Sequence, residues 1–286
     1  MRAEPADLHR LDLGEGPTWD AATGRLYWIG IPDRRLRWLD HRTGATAGLE
    51  LPVMPGALAP ARDGRVLLAT ERGFELLDTA DGTSRLLAPV EADRPDRRMN
   101  DGACDPYGRM VAGTMRTTEP LADGRLHRLE PDGTVTTVLG GLAVPNGLAW
   151  PEPDRLWYID SPTRRIDLYE YPEHGPVGPL IRSLDVSHLP GVPDGMTLDA
   201  DRNLWVAFWD GAAVHCLTPT GRLLATVEFP VPRPTSCTFA GPDLTTLYIT
   251  TARTTRTTPD TPDDPSGRLF RLDHTTPGRP DHPWNE

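Results

Sequence analysis

RNLWVAFWDGAAVHCLTPTG (202–221) reads as two β-strands joined by a tight turn. The run LWVAF is apolar throughout, as a strand buried on both faces requires, while AVHCLT alternates with the period of two expected of a half-buried antiparallel strand. Between them, WDG carries the Asp and Gly that short turns favour. The same grammar recurs in GRLYWIGIPDRRLRWLD (24–40), GRVLLATERGFELLD (64–78), GRMVAGTM with GRLHRLEPDG (108–115 and 124–133), DRLWYIDSPTRRIDLYEY (154–171) and TTLYITTA with GRLFRLD (245–252 and 267–273). The six segments begin at 24, 64, 108, 154, 202 and 245, so the repeat lies between forty and fifty residues. Turn strings such as TGR, DGR and YGR precede the strands, and 31 prolines with 27 glycines would break most helices.

A repeat of this length with several strands per unit is the signature of a β-propeller, and six units predict six blades. The fold class expected is therefore all-β, a six-bladed β-propeller with a central metal site, occupying residues 1–286 as one domain. DLHRLDL (7–13) is the candidate for the outer strand that closes the last blade onto the first. TTRTTPDTPDDPSG (254–267) reads as a loop within the last blade, and 274–286 as a loosely ordered tail.

Composition narrows the function. The formal charge is −11, which argues against nucleic acid or an anionic membrane as partner. Mean hydropathy is negative, and no apolar run approaches the ~18 residues of a membrane-spanning helix. MRAEPADLHRLDL lacks the apolar stretch of a signal peptide, which predicts a cytoplasmic protein. Every basic residue is Arg and none is Lys, so Schiff-base and lysine-base chemistry are excluded. Cys104, Cys216 and Cys237 form no C-x-x-C pair and read as buried thiols. His215, between Val214 and Cys216, reads as a strand residue rather than a ligand.

The residues that open each inner strand face the channel of a propeller. They read GEGPTWD (14–20), PGALAPARD (55–63), MNDGACDPYG (99–108), VPNGLAW (144–150), VPDGMTLDAD (192–201) and PTSCTFAG (234–241). Four of the six carry an acid or amide close to a glycine at one phase of the repeat: Glu15, Asn100, Asn146 and Asp194. Any one such pair on its own would more often be a hairpin turn. Four at one phase point to a cluster on the axis. Two carboxylates and two carboxamides without sulfur are hard-oxygen ligands, suited to one divalent cation; Ca²⁺ leads, with Mg²⁺ and Mn²⁺ as alternatives and Zn²⁺ a poorer match. Ser236 shares the channel phase and reads as a small wall residue. A serine hydrolase is disfavoured because the chain has no G-x-S-x-G elbow.

In order and at propeller spacing, GEGPTWD, RMNDGACDPYGRMVAGTM, VPNGLAW, YIDSPTRRIDLYEY, PDGMTLDADRNLWVAFWDG and PTSCTFAG with LYITTAR resemble the SMP-30/gluconolactonase/regucalcin family of metal-dependent lactonases. The resemblance runs from about residue 13 to 253. It implies that Glu15, Asn146 and Asp194 hold the metal, that Asp194 is the acid/base, and that Arg98 and Asn100 contact a small lactone substrate. The family often has an acid where Gly30 stands, and acidic substrate contacts where RTTEP places Thr118 with Glu119 beside it. A phosphoester, a non-sugar lactone or a non-catalytic binding scaffold are the competing uses of the same fold.

Overall fold

The computed structural model describes residues 1–253, 264–274 and 276–285. Among them, the strands form six four-stranded sheets arranged as the blades of a propeller, the first five running outward from an inner strand in chain order. In the first blade these are Gly14–Asp20, Arg25–Gly30, Arg35–Asp40 and Thr46–Glu50, all antiparallel. The inner strands of the second to sixth blades are Pro55–Pro60, Arg97–Cys104, Pro145–Glu152, Val192–Leu198 and Pro234–Ala240. Burial falls with distance from the axis. Arg25–Gly30 is almost wholly buried, whereas the outermost Leu180–Asp185 of the fourth blade is mostly exposed. That gradient explains why second strands read as continuous apolar runs, but it sets in late: the third strand Ala213–Leu217, read from its alternation as half-buried, is buried throughout because neighbouring blades cover both its faces. At the TGR and DGR turns, Gly24 and Gly64 have φ of 69° and 72°, the left-handed conformation that makes glycine the suitable residue there.

The hydrophobic core is a ring of interfaces between neighbouring blades. Tyr27, Ile29 and Leu36 of the first blade pack with Leu58, Val66 and Leu68 of the second. Trp157 and Ile159 of the fourth pack with Met196, Val206 and Phe208 of the fifth. Trp205 and Val214 of the fifth meet Phe239 and Ile249 of the sixth. Trp28, Trp150, Trp157 and Trp205 all belong to such interfaces and are buried core side chains. Trp209 is partly exposed, with the Arg233 guanidinium 4.7 Å above its ring. Cys104, Cys216 and Cys237 are buried free thiols, and His215 lies within the strand Ala213–Leu217. No helix among the described residues is long and apolar enough to cross a membrane.

Ring closure differs from the sequence expectation. Glu4–Pro5, not 7–13, supplies the outer strand of the sixth blade, pairing Glu4 with Arg271 and Pro5 with Phe270. Segment 7–13 instead crosses from the last blade to the first. It drops Leu11 into the core, pairs Asp7 with the buried Arg37 at 3.0 Å, and leaves Leu8 exposed, so no strand face forms. Of the loop expected at 254–267, residues 254–263 lie outside the described residues.

Residues 276–285 depart further from the expected loose tail, because they make a strap bonded to every blade. Ala200 N donates to Pro277 O, Gly278 N to Leu244 O, Arg279 N to Leu198 O, Trp284 N to Pro60 O and Asn285 N to Gly108 O. Arg279 Nη1 donates to Pro151 O at 2.6 Å. Asp281 accepts from Trp19 N at 2.9 Å and Thr238 Oγ1 at 3.0 Å. Trp284 is buried in the core between the second and third blades. Prolines at 277, 280 and 283 keep the strap extended, which is how one segment reaches round the ring.

Removing the indole with Trp284→Ala is expected to destabilise the protein by about 3–5 kcal/mol, the usual range for a buried Trp, in denaturant unfolding. Burial pushes the Asp281 carboxyl up to about 6, so the folded state holds a proton that the unfolded chain has released by then. Its contribution to stability therefore falls as pH rises from about 4 to about 6. Asp281→Asn, which keeps an acceptor oxygen, should gain stability over wild type through that window and hold the gain above it. Thermal unfolding of both proteins across pH 4–8 measures the difference.

Candidate functional site

Every inner strand is interrupted at the same place. Its pairing with the second strand of the blade slips between Glu15 and Thr18, Pro55 and Ala57, Met99 and Gly102, Asn146 and Leu148, Pro193 and Met196, and Pro234 and Ser236. These are six β-bulges in register around the ring, each re-aiming the side chains beside it. The residues at the bulge phase are Glu15, Gly56, Asn100, Asn146, Asp194 and Thr235. None of the acid–glycine or amide–glycine pairs is a hairpin turn. The glycines are there because adjacent inner strands nearly touch. A Cβ on Gly147 would stand 2.9 Å from Asp194 O, and one on Gly195 would stand 2.1 Å from Ser236 Oγ. In the second blade the glycine occupies the site phase itself, and a Cβ on Gly56 would meet Met99 O at 2.4 Å. Thr235, rather than Ser236, is the sixth blade's residue at that phase.

The four polar residues named from the sequence are all buried, with exposures of 5–7 %. A directed hydrogen-bond chain joins three blades. Arg98 Nη1 donates to Asn100 Oδ1 at 2.8 Å, and Asn100 Nδ2 donates to Asn146 Oδ1 at 2.9 Å. Asn146 Nδ2 donates to Ser161 Oγ at 2.7 Å, and Ser161 Oγ donates to Pro193 O at 2.6 Å. Each link polarises the next in a low-dielectric interior. Asp194, one residue beyond that last carbonyl, accepts no hydrogen bond among the described residues. Burial raises its carboxyl well above the usual range, and the Asp101 charge adds to the effect. Glu15 is raised likewise by burial, then by Asp194 and Asp101, while Arg98 opposes the shift. Burial lowers Arg98 in turn, against the pull of Glu15.

Two buried carboxylates, Glu15 raised by burial and by the Asp194 charge and Asp194 raised by burial and by the Asp101 charge, are a physical reason for a cation to sit among them. The donor set fits a hard divalent ion: carboxylate oxygens of Glu15 and Asp194 with the carboxamide oxygen of Asn146. No group of three or more His, Cys, Asp or Glu placed to hold a metal occurs among the described residues, so a centre here depends on carboxamide oxygen.

Other predicted residues lie elsewhere. Thr118 and Glu119 sit in the exposed loop between the strands Met110–Arg116 and Gly124–Leu129, outside the buried cluster. At position 30, a Cβ would collide with Leu11 and with Asp33, 2.8–2.9 Å away. The space an acid would need is taken by Asp33, whose carboxylate accepts from Asp12 N. Three polar residues near the cluster were not singled out by the sequence reading. Asp101 follows Asn100, and its carboxyl is pushed up to about 6 by burial. It lines a cavity of about 100 Å³ with Thr18, Thr197, Thr238 and Asp281 of the strap. Because this cavity is lined by residues that follow the site residues along the inner strands, it lies between the cluster and the strap. The other two are Ser161 and Thr235; the Pro-X-Ser phase of PTS was the available signal for Thr235.

Fold and cluster together define a six-bladed β-propeller with a buried set of carboxylate and carboxamide side chains at one phase of its inner strands. The family model described as SMP-30/gluconolactonase/LRE-like region matches residues 13–253, and the chain belongs to that family. It is 38 % identical over 277 residues to pentonolactonase XacC of Haloferax volcanii, covering 94 % of this chain and 93 % of the relative. It is 36 % identical over 245 residues to 6-deoxy-6-sulfogluconolactonase of Pseudomonas putida, covering 84 % of each. Among solved structures, the calcium-binding protein regucalcin from Agrobacterium tumefaciens superposes with a TM-score of 0.91 at 30 % identity, over 99 % of this chain and 97 % of that one.

The close approach of the inner strands makes a stability prediction. Gly195→Ala is expected to destabilise the fold by about 1–3 kcal/mol through overpacking. Gly140→Ala, where nothing lies within 4 Å of the added methyl, should be neutral. Urea unfolding of the two variants beside wild type provides the comparison.

Proposed function

We propose that the protein is a divalent-metal-dependent lactonase that opens a small sugar-acid-type lactone to its hydroxy acid. The observation that carries this reading is Asp194, buried at the axis beside Glu15 with no hydrogen-bond partner among the described residues. The lactonase names of relatives that cover most of the chain support the reaction type, and the calcium-binding regucalcin fold supports a divalent cation. Glu15, Asn146 and Asp194 would hold that cation, with Ca²⁺ the first candidate on the hardness of the ligands. When bound, the cation supplies Lewis acidity to the ring carbonyl and lowers the pKa of the attacking water.

The chain's own groups divide the remaining work. Asp194 takes the proton from water as the new C–O bond forms and returns it to the ring oxygen as the ester bond breaks, so the carboxylate ends unchanged. Arg98 has one nitrogen committed to Met99 O and Asn100 Oδ1. Its Nε and Nη2 donate to no described residue, which leaves them for the substrate carbonyl or a ring hydroxyl. Asn100 fixes the Arg98 fork, and Thr118 and Glu119 would contact substrate only from the rim loop.

Asp194→Asn is expected to give a folded protein whose turnover on an aldonolactone falls by about 10²–10⁴-fold. Glu15→Gln should first weaken metal affinity and then, at limiting metal, activity. Near-normal turnover of the Asp194 variant, or full wild-type activity after chelation to zero metal content, contradicts the proposal. A pH-stat assay paired with elemental analysis reads both.

A further inference from the structure

Three backbone carbonyls carry a pattern that the proposed reaction does not by itself require. Each immediately precedes one of the three residues assigned to the metal, and each accepts a hydrogen bond from a side chain of the preceding blade. Thr235 Oγ1 of the sixth blade donates to Gly14 O at 2.6 Å, ahead of Glu15. Asn100 Nδ2 of the third blade donates to Pro145 O at 2.8 Å, ahead of Asn146. Ser161 Oγ of the fourth blade donates to Pro193 O at 2.6 Å, ahead of Asp194. No side chain of a neighbouring blade donates to the equivalent carbonyls of Pro55 and Pro234 among the described residues; those precede Gly56 and Thr235, which bear no proposed ligand. The cross-blade bonds follow the ligands, not the fold repeat.

Resting on the metal reading above, we propose that Ser161 and Thr235 are positioning residues of the metal centre, pinning its ligand-bearing strands to one another across the blade boundaries. The chemistry follows from the bulges. A bulged residue has lost part of its ladder bonding, so its orientation needs another restraint. Thr235 is fully buried, and with its proton given to Gly14 O its oxygen can accept from the Thr250 hydroxyl 2.8 Å away, which holds the rotor at the strand junction. Ser161 performs two tasks. It ties the fourth blade to the backbone ahead of Asp194, and it accepts Asn146 Nδ2, which turns Asn146 Oδ1 toward Asn100 and the axis. Ser161 and Asn100 Nδ2 together fix which end of the Asn146 carboxamide is oxygen, so without Ser161 the group keeps only one of its two orienting partners and its oxygen is held less firmly. Partners of this kind usually change metal affinity by about 10–100-fold when removed.

The test is calorimetric titration of chelator-stripped protein with Ca²⁺ alone, beside thermal unfolding of each sample. Ser161→Ala and the near-isosteric Thr235→Val should bind Ca²⁺ about 10–100-fold more weakly than wild type. Thr235→Ser, which keeps the hydroxyl, should stay within a few-fold of wild type and so rescue the loss even if Ser161→Ala folds poorly. Thr70→Val serves as control: its buried hydroxyl donates to Gly73 O and Glu75 Oε1 in the second blade, away from any ligand strand, and its removal should lower the melting temperature without changing Ca²⁺ affinity. Wild-type affinity in both Ser161→Ala and Thr235→Val overturns the positioning role while leaving the metal site standing. An equal loss in Thr70→Val assigns the effect to general destabilisation and overturns it as well. Failure of wild-type protein to bind Ca²⁺ removes the metal reading and this proposal together.

Discussion

Six strands cannot converge on one axis unless side chains are deleted where they meet. That steric constraint organises the site. Gly147 and Gly195 exist where they do because the next blade's backbone or side chain stands well inside van der Waals contact of the missing Cβ. The bulge at each of these points takes up the extra residue and swings the neighbouring side chain inward. What reaches the axis is therefore a ring of six residues at one phase, four of them with carboxylate or carboxamide side chains. Packing them together strips their water, which raises both Glu15 and Asp194 and leaves their charges in want of a partner. Stability is surrendered at the axis and recovered in the six inter-blade cores.

The two ends of the channel serve different purposes. At one end lie the inner-strand openings, with Arg98 and the polar cluster. At the other, the strap from 276 to 285 bonds to all six blades and sets Asp281 against the cavity below the cluster. Joining blades that are far apart in the chain, the strap also acts on the ring as a whole, complementing the closure made by Glu4–Pro5.

Much of this was legible in the sequence because a propeller writes its architecture as a period. Strand alternation and the turn glycines are local patterns that recur from blade to blade, and the acid or amide at one phase recurs in four of the six, at Glu15, Asn100, Asn146 and Asp194. Features made once, by contacts distant in sequence, left no period to read. The strap looks like a proline-rich tail until Trp284 is seen in the core, and the closing strand at 4–5 is too short to alternate. Ser161 escaped for a similar reason, since its partners Asn146 and Pro193 belong to two different blades. The hairpin reading of Asn-Gly and Asp-Gly failed because a glycine inside an inner strand reports a close approach and a bulge, not a turn.

The central claim is that one divalent cation sits among Glu15, Asn146 and Asp194. Crystals of the protein soaked in Mn²⁺ and measured at the manganese absorption edge test it directly. The account predicts one strong anomalous peak bonded by oxygens of those three side chains, lost in crystals of the Asp194→Asn variant. A protein that hydrolyses lactones with no peak there, or with its peak instead in the lower cavity between Asp101 and Asp281, would contradict it.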